Sequence, residues 1–334
     1  MLDAAAHERT GAEPVENAET MDLKGKRIVV TGGAGFLGSH LVAQLGRLAP
    51  ETIVVPRSSQ YDLTQSSAVA QLYHDARPDL VFHLAARVGG IGANQRNPGR
   101  YFHDNMAMGL HILEQGRVFG IAKLVLAGTI CAYPKFAPVP FQENDLWNGF
   151  PEETNAPYGV AKKALIVMAE SYRAQYGQNA VVALPVNLYG PRDNFDLETS
   201  HVIPAMINKF LAAVDQGASD VQLWGDGSPT REFLYVDDCA EGFIRMAERY
   251  DRPEPVNLGS GREISIRELA ELVGRLCGYR GNLVWQPDRP NGQPRRSLDV
   301  ARAREALGFA SKTTLEDGLQ TTIDWYRQHR GDAE

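Results

Sequence analysis

A glycine-rich turn near the N-terminus is the feature that most constrains the fold of this chain. Gly32, Gly35 and Gly38 follow the apolar, β-branched run 27–31 directly, and they precede a helix-like stretch, 37–48. Strand, glycine turn and helix in this order are typical of a dinucleotide-binding site. Gly32 permits the tight turn, Gly35 lets backbone approach a pyrophosphate, and Gly38 allows close packing of helix on sheet. The alternative is a plain strand–turn–helix connection.

The segments after this turn alternate between two kinds of pattern as far as residue 190. Strand-like runs lie at 52–55, 79–84, 123–127 and 180–185, and helix-like segments at 69–74, 98–120 and 157–177. Strands that alternate with helices form βαβ units. The sequence therefore predicts an α/β fold with a Rossmann-type, doubly wound parallel sheet.

The second part of the chain differs in texture. A chain of 334 residues exceeds one usual core, so two lobes are expected. Beyond 190, loops rich in Gly, Pro, Asp and Arg alternate with helix-like stretches near 202–214, 237–249, 265–277 and 315–328. We predict a disordered tail over 1–22 and a dinucleotide-binding domain over 23–190. A smaller C-terminal α/β lobe over 191–334 mainly binds substrate and returns some elements to the first lobe.

Composition excludes several function classes. The net charge of −7 disfavours nucleic acid as a partner, and no apolar run is long enough to span a membrane. The three cysteines have no spacing typical of a disulfide framework or a metal site. A sparse, odd number of cysteines is typical of the reducing cytoplasm, where we expect the protein to reside.

The region around the second strand indicates which dinucleotide binds. The helix start at Phe36 and Leu37 would offer NH groups to the phosphates. No acidic residue stands at the end of the strand to bind a ribose 2′-hydroxyl. Arg57 and the serines that follow it would instead accept a 2′-phosphate, and Asp62 and Leu63 would flank the adenine. These features favour NADP, while NAD stays open because Arg57 can also be a solvated surface arginine.

Tyr158 and Lys162 suggest the chemistry. Four residues apart on a predicted helix, they share a face, so the ammonium is expected to lower the tyrosine pKa from about 10. Such a tyrosine transfers a proton near neutral pH, and beside a dinucleotide this indicates redox chemistry on a ketone or carbinol. Thr129 ends a predicted strand, where its hydroxyl can bond a substrate oxygen. Capping of the strand is the alternative role for Thr129.

Several blocks together resemble the extended short-chain dehydrogenase/reductase superfamily. They are the turn GGAGFLG, the run HLAA at 83–86, Thr129, the Tyr158/Lys162 pair and the run NLYGP at 187–191. The blocks RVGGI, CAYPK, NAPY, SHVIPA and REFLYVDD are more narrowly similar to the GDP-L-fucose synthases, which are 3,5-epimerase/4-reductases. These blocks span about residues 27 to 300.

The resemblance implies roles for further residues. Cys131 and His201 would be the acid/base pair that epimerises the carbons beside a ketone, and Tyr158 would protonate the C4 oxygen as NADPH is oxidised. Ala85 would contact the cofactor, and Lys162 would also bind the nicotinamide ribose. Further residues would hold the nucleotide diphosphate sugar, namely Asn187, Lys209, Trp224, Arg231 and Arg296. For Cys131 the alternative is a buried small hydrophobe, for Trp224 a packed core residue and for Asn187 a turn residue.

The chain departs from the fucose-synthase pattern at two places, and two alternative functions remain. The turn GGAGFLG is common in sugar epimerases, whereas fucose synthases usually carry a histidine-arginine version. Fucose synthases also usually have Ser-Ser-Cys where this chain has Thr-Ile-Cys at 129–131.

An epimerase that keeps NAD bound and performs no net reduction is the second enzyme hypothesis. A dinucleotide sensor without catalysis is the third. The nucleotide-sugar 4,6-dehydratases of this superfamily carry an acidic pair just after the threonine or serine. Ile130 and Cys131 stand there in this chain and cannot act as carboxylates, so the resemblance disfavours a dehydratase. The resemblance also implies a homodimer formed through helices 98–120 and 157–177.

Overall fold

The computed structural model describes residues 20–89, 96–197, 199–289, 291 and 293–330. Its principal sheet has six parallel strands in the order β2-β1-β3-β4-β5-β9. They are β1 (Arg27–Thr31), β2 (Thr52–Val54), β3 (Leu80–His83), β4 (Lys123–Ala127), β5 (Ala180–Pro185) and β9 (Val256–Leu258). The strand order reverses between β1 and β3, so ligands are expected beyond the carboxyl ends of these two strands.

Helices cover both faces of this sheet, which explains why its central strands are apolar almost throughout. The helices of the first 190 residues are α1 (Phe36–Leu45), α2 (Ser66–Ala76), α3 (Pro98–Val118) and α4 (Ala156–Tyr176). α2, α3 and α4 pack in sequence on one face, and α1 packs beside α6 (Val236–Arg249), which also contacts β4 and β5. Because Gly109 has no side chain, Leu165 of α4 fits directly against α3.

A second, smaller sheet is built around β8 (Thr230–Tyr235). β8 pairs in parallel with β6 (Asn187–Tyr189) and β12 (Arg295–Arg296), and antiparallel with β10 (Glu263–Ser265). Separately, β7 (Asp220–Trp224) pairs in parallel with β11 (Asn282–Gln286). The helices α5 (Val202–Gln216), α7 (Ile266–Cys277) and α9 (Leu315–His329) share a distinct hydrophobic core with these strands, and α8 (Ala301–Leu307) packs on α6 and β9.

The α/β fold with a parallel, Rossmann-type sheet is confirmed. Several element predictions need correction. The predicted helix 69–74 extends over Ser66–Ala76, and α8 was missed because seven residues carry too little periodicity. Residues 224–232 and 286–296 belong to the loops predicted beyond residue 190 from their Gly, Pro, Asp and Arg content, but β8 begins in the first stretch and β12 lies at the end of the second. The strands of the second sheet are too short, and too rich in charge, to be recognised alone.

The predicted domain limits, 23–190 and 191–334, stay a prediction. β9 and α6 follow residue 190 but lie with the principal sheet, so elements of both segments build it. The predicted tail over 1–22 falls mainly outside the described residues; of its last part, Met21 donates its backbone NH to Glu248 at 2.8 Å. No helix in the described part of the chain has the length and apolar character needed to cross a bilayer.

Candidate active site

The glycine turn lies where the strand order reverses. Gly32 has φ +73°, and a Cβ on it would lie 2.7 Å from the backbone nitrogen of Ala85, which follows β3. A Cβ on Gly38 would clash with the carbonyl oxygen of Gly32, so both positions require glycine. Gly35 is exposed and precedes Phe36, where α1 begins without a side-chain cap. The first turn of α1 can therefore offer NH groups and its positive dipole end to a phosphate.

The predicted adenosine-binding residues follow β2. Arg57 is exposed, and its carbonyl accepts hydrogen bonds from the backbone of Gln60 and Tyr61 at 2.9 Å each. The Asp62 carboxylate accepts bonds from the NH and the hydroxyl of Thr64. Leu63 is buried in the core. Arg57 is thus exposed and follows β2 at the same edge of the sheet as the glycine turn. The side chain of Leu63 is buried, so this residue can contact a ligand mainly through its backbone.

Thr129, Tyr158 and Lys162 come together at the end of β4. Lys162 is almost fully buried and donates from Nζ to the carbonyl of Ala127 at 2.9 Å. The Thr129 hydroxyl bonds to the phenol of Tyr158 and accepts from the NH of Cys131 at 3.2 Å. The threonine therefore does cap the short 3-10 turn Ile130–Ala132 and also touches the tyrosine. Both roles anticipated for Thr129 from the sequence are compatible with this geometry.

The expected electrostatic effect of Lys162 on Tyr158 is wrong for this structure. Burial raises the pKa of Tyr158 above its ordinary value, and the proximity of Cys131 raises it further. Burial also lowers the pKa of Lys162 to about 8. Desolvation disfavours the charged form of each group, and neither residue is among the causes of the other's pKa shift. Tyr158 is therefore a neutral phenol, which can donate a proton.

Cys131 and His201 share one neighbour, Arg296. Nη2 of Arg296 contacts Sγ of Cys131 at 3.4 Å, although the residues are 165 positions apart. His201 precedes α5 and keeps contact with solvent, while the surrounding protein and then the Arg296 guanidinium lower its pKa. Cys131 is half-buried, so its thiol is not enclosed in the core as the alternative reading required.

Arg231 and Arg296 lie side by side and are candidates for binding an anion. They are opposite each other in the parallel pairing of β8 with β12, so their side chains leave the sheet on the same face. Burial and the charge of Arg296 lower the pKa of Arg231 to about 10. Among the described residues neither guanidinium forms an ion pair, and Arg296 Nε is buried without a hydrogen-bond partner. Two adjacent, uncompensated guanidinium groups suit a diphosphate.

The other predicted substrate residues lie around the second lobe. Lys209 is bonded to the carbonyl of Gln222 at 3.2 Å, and Asn187 to the carbonyl of Glu232 at 3.1 Å. Asn187 therefore belongs to a strand pair, which corrects its reading as a turn residue. Trp224 is 62% exposed at the end of β7, so it is not a core tryptophan. The guanidinium of Arg289 lies 5.4 Å from the centre of its ring.

Two contributors were missed in the sequence. Gly159 lets α4 approach the turn Ile130–Ala132, because a Cβ at this position would clash with the carbonyl oxygen of Cys131. Its position directly after Tyr158 was a signal, because an interior helical glycine usually marks close packing. Arg289 was visible only as one of several arginines in a loop. Within the described residues no cluster of acidic, histidine and cysteine side chains could hold a metal ion.

Comparison with known proteins identifies the family of the chain. Residues 28–259 match the NAD dependent epimerase/dehydratase family. A probable GDP-L-fucose synthase 1 of Oryza sativa subsp. japonica is 42% identical over 318 residues, covering 95% of this chain and 96% of that protein. The GDP-L-fucose synthase of Escherichia coli K12 is 38% identical over 314 residues, covering 91% and 98%.

Two solved structures are similar as well. A GDP-L-fucose synthetase from Naegleria fowleri bound to NADP has a TM-score of 0.86 and 26% identity, covering 94% of this chain and 98% of that one. A UDP-glucose 4-epimerase from Thermotoga maritima has a TM-score of 0.81 and 29% identity, covering 91% and 99%. The resemblance inferred from the sequence is confirmed, and the chain belongs to the NAD dependent epimerase/dehydratase family.

Proposed function

We propose that this protein is an NADP(H)-dependent epimerase/reductase that acts on a GDP-linked 4-keto-6-deoxyhexose. One observation carries the proposal. Cys131 contacts Arg296 and lies near Tyr158, and His201 lies near the same arginine. Lys162 binds the end of β4, at the carboxyl edge of the sheet that also carries the glycine turn. The GDP-L-fucose synthase names of relatives near 40% identity support the same function.

The residues divide into two halves. A ketone at C4 acidifies the protons on C3 and C5, so the Cys131 sulfur can remove one as a base and His201, once protonated, can return one from the opposite face. The neutral phenol of Tyr158 then donates its proton to the C4 oxygen, while Thr129 bonds to the same phenol and orients it. NADPH, when bound, supplies the hydride for this reduction. Lys162, anchored on Ala127, can donate to the nicotinamide ribose from the wall of the site.

The remaining residues bind the two ligands. Arg231 and Arg296 hold the diphosphate, with Lys209, Trp224 and Asn187 around the rest of the nucleotide sugar. The turn at Gly32, Gly35 and Gly38, with Phe36, Leu37 and Ala85, receives the cofactor pyrophosphate and nicotinamide half.

The choice of NADP rests on the exposed guanidinium of Arg57 after β2, where no acidic residue follows the strand. Asp62 and Leu63 flank the adenine in this arrangement. An NADP-bound relative of the same fold supports the choice.

We further propose a homodimer in the cytoplasm. The exposed apolar side chains Phe102 and Leu110 on α3 and Val167 on α4 suit a second copy of the same helix pair. The three cysteines are all free, as the reducing cytoplasm requires.

The decisive experiment supplies GDP- and dTDP-linked 4-keto-6-deoxy sugars with NADPH or NADH in D₂O. We expect the GDP sugar to be reduced with loss of NADPH absorbance, and mass spectrometry to show deuterium at C3 and C5. Cys131→Ser should stop deuterium incorporation while reduction of the ketone persists. Reduction without deuterium in the wild type would contradict the epimerase half.

A second candidate is an epimerase that retains NAD and performs no net reduction. The glycine turn GGAGFLG and the similarity to a UDP-glucose 4-epimerase favour it. Turnover of a nucleotide sugar with no cofactor consumed would establish this candidate and overturn the first.

A further inference from the structure

The contact between Arg296 and the thiol of Cys131 suggests a role for this arginine beyond phosphate binding. We propose that Arg296 is a positioning residue that holds Cys131 as a thiolate, ready to remove a proton from carbon. The catalytic meaning of this inference rests on the proposed function. The ionisation state of the thiol does not, because it can be measured without any substrate.

The geometry of the contact requires sulfur to be the acceptor. A guanidinium has only donors and stays charged at all ordinary pH, so its 3.4 Å contact with Sγ is strongest when the thiol has lost its proton. No carboxylate among the described residues forms an ion pair with Arg296, and its Nε is buried without a partner. In the free protein no carboxylate of the described residues neutralises this positive charge, so it can act on the sulfur. A cation beside a cysteine is the usual means by which proteins stabilise thiolate.

The fold keeps the two residues together. β12, which carries Arg296, is fixed to the segment after Cys131 by backbone bonds from Phe141 to Ser297 at 2.8 Å and from Asp299 to Phe141 at 2.9 Å. The buried Asn257 amide bonds to the carbonyls of Phe141 and Asp299, while its oxygen accepts from Tyr133 at 2.7 Å. These hydrogen bonds hold the segment that follows the turn Ile130–Ala132 against β12. The guanidinium of Arg296 therefore contacts the sulfur of Cys131 without a bound substrate.

Other charged groups around Cys131 do not replace Arg296. From α4, Tyr158 faces the cysteine, but burial raises the pKa of its phenol, so it stays neutral. From β8, Arg231 neighbours Arg296 and adds positive charge behind it. His201, before α5, has its pKa lowered by the surrounding protein and by Arg296, so it carries little positive charge near neutral pH and does not replace the guanidinium beside Cys131.

The test measures the thiol directly. Native protein is alkylated with iodoacetamide from pH 5 to 10, and the rate at Cys131 is followed by mass spectrometry. The other two cysteines are buried, so they serve as internal unreactive references. We expect the wild-type rate near pH 6.5 to exceed that of Arg296→Ala about tenfold, because thiolate is the nucleophile. The half-maximal pH of Arg296→Ala should rise by about one unit or more, and Arg296→Lys should restore part of the difference.

Two controls separate this role from others. Arg295→Ala removes a neighbouring charge that pairs with Glu263, and its profile should match the wild type. Cys131→Ser should abolish the signal, and circular dichroism melting of each variant shows whether it is folded. If folded Arg296→Ala keeps the wild-type pH profile, the inference is overturned.

Turnover distinguishes the inference from the proposed function. If Arg296 acts only on the diphosphate, Arg296→Ala raises KM for the sugar and leaves the alkylation profile unchanged. If it holds the thiolate, kcat for deuterium exchange at C3 and C5 also falls. A shifted alkylation profile in a protein that turns over no keto-sugar would support the inference and contradict the proposed function.

Discussion

At the scale of single residues, the site is governed by burial more than by sequence neighbours. Lys162 and Tyr158 occupy the predicted positions, yet burial raises the pKa of the tyrosine and lowers that of the lysine to about 8. Desolvation disfavours the charged form of both groups, so Tyr158 is a neutral phenol and the buried ammonium of Lys162 lowers the free energy of unfolding. This destabilisation arises only in the folded state, so the pH dependence of the free energy of unfolding measures it.

Lys162→Met is expected to stabilise the protein while removing reduction. At pH 7 the wild type keeps a buried ammonium whose pKa is about 8 instead of 10.5. The unfolded chain binds the extra proton between these two values, so wild-type stability rises with pH from about 8 to 10.5. After allowance for the lost bond to Ala127, the variant should be about 2 kcal/mol more stable at pH 7. Urea denaturation at pH 7, 9 and 10.5 measures the difference.

The advantage of the variant should shrink as the pH approaches 10.5. Lys24→Met, at an exposed lysine, serves as the matched control and should change stability little at any of these pH values. A Lys162→Met variant that is less stable than the wild type at pH 7 would show that the hydrogen bond outweighs desolvation.

At the scale of elements, helix α4 positions the chemistry by its close approach to the turn after β4. Gly159 in its first turn leaves room for the carbonyl of Cys131, while Tyr158 and Lys162 point towards β4 and its end. The helix thereby fixes the reducing half and the epimerising half of the site against each other. A side chain at Gly159 would force them apart.

Gly159→Ala is therefore expected to impair epimerisation more than folding. The added methyl would clash with the carbonyl oxygen of Cys131, so the turn must move, at a cost of about 1–3 kcal/mol. We expect slower deuterium exchange at C3 and C5 and a lower melting temperature. Gly99→Ala is the matched control: it lies in the first turn of α3, where a Cβ meets nothing within 4 Å. Equal effects of the two substitutions would contradict the steric explanation.

At the scale of the whole molecule, segments distant in the chain converge at the carboxyl edge of the principal sheet. The glycine turn, the turn after β4, the start of α5 and strand β12 all contribute to the site. The second sheet brings Arg296 to Cys131 by pairing β12 with β8. The helices α3 and α4, which pack on one face of the principal sheet, expose apolar side chains and form the proposed dimer surface.

Val167→Glu is expected to produce a monomer. Val167 on α4 is 46% exposed and lies on the proposed dimer surface, where a carboxylate would be desolvated without a partner. Val214→Glu on α5, at a valine that is 40% exposed outside that surface, is the control and should stay dimeric. Light scattering after size-exclusion chromatography measures the masses. A monomeric wild type, or a Val167→Glu variant that remains dimeric, would overturn this interface.

Local sequence patterns alone predicted the parallel sheet, the glycine turn and the Tyr158/Lys162 spacing. Strand and helix periodicities are encoded within a few residues, and the clash at Gly38 arises within its own turn. The roles of Cys131 and His201 came from resemblance, because nothing near either residue in the chain distinguishes it from a packing residue. The short strands of the second lobe were not predictable, since their pairing depends on partners up to 65 positions apart.

Only the tertiary structure decided the pKa shifts of the site residues and the contacts between those that are distant in the chain. A pKa depends on the atoms that enclose a group, so the spacing of Tyr158 and Lys162 could not reveal that burial opposes charge on both. The contact of Arg296 with Cys131 joins residues 165 positions apart through the pairing of β12 with β8. The sequence determined which chemical groups the chain carries, and only the packing of two sheets placed the guanidinium on the thiol.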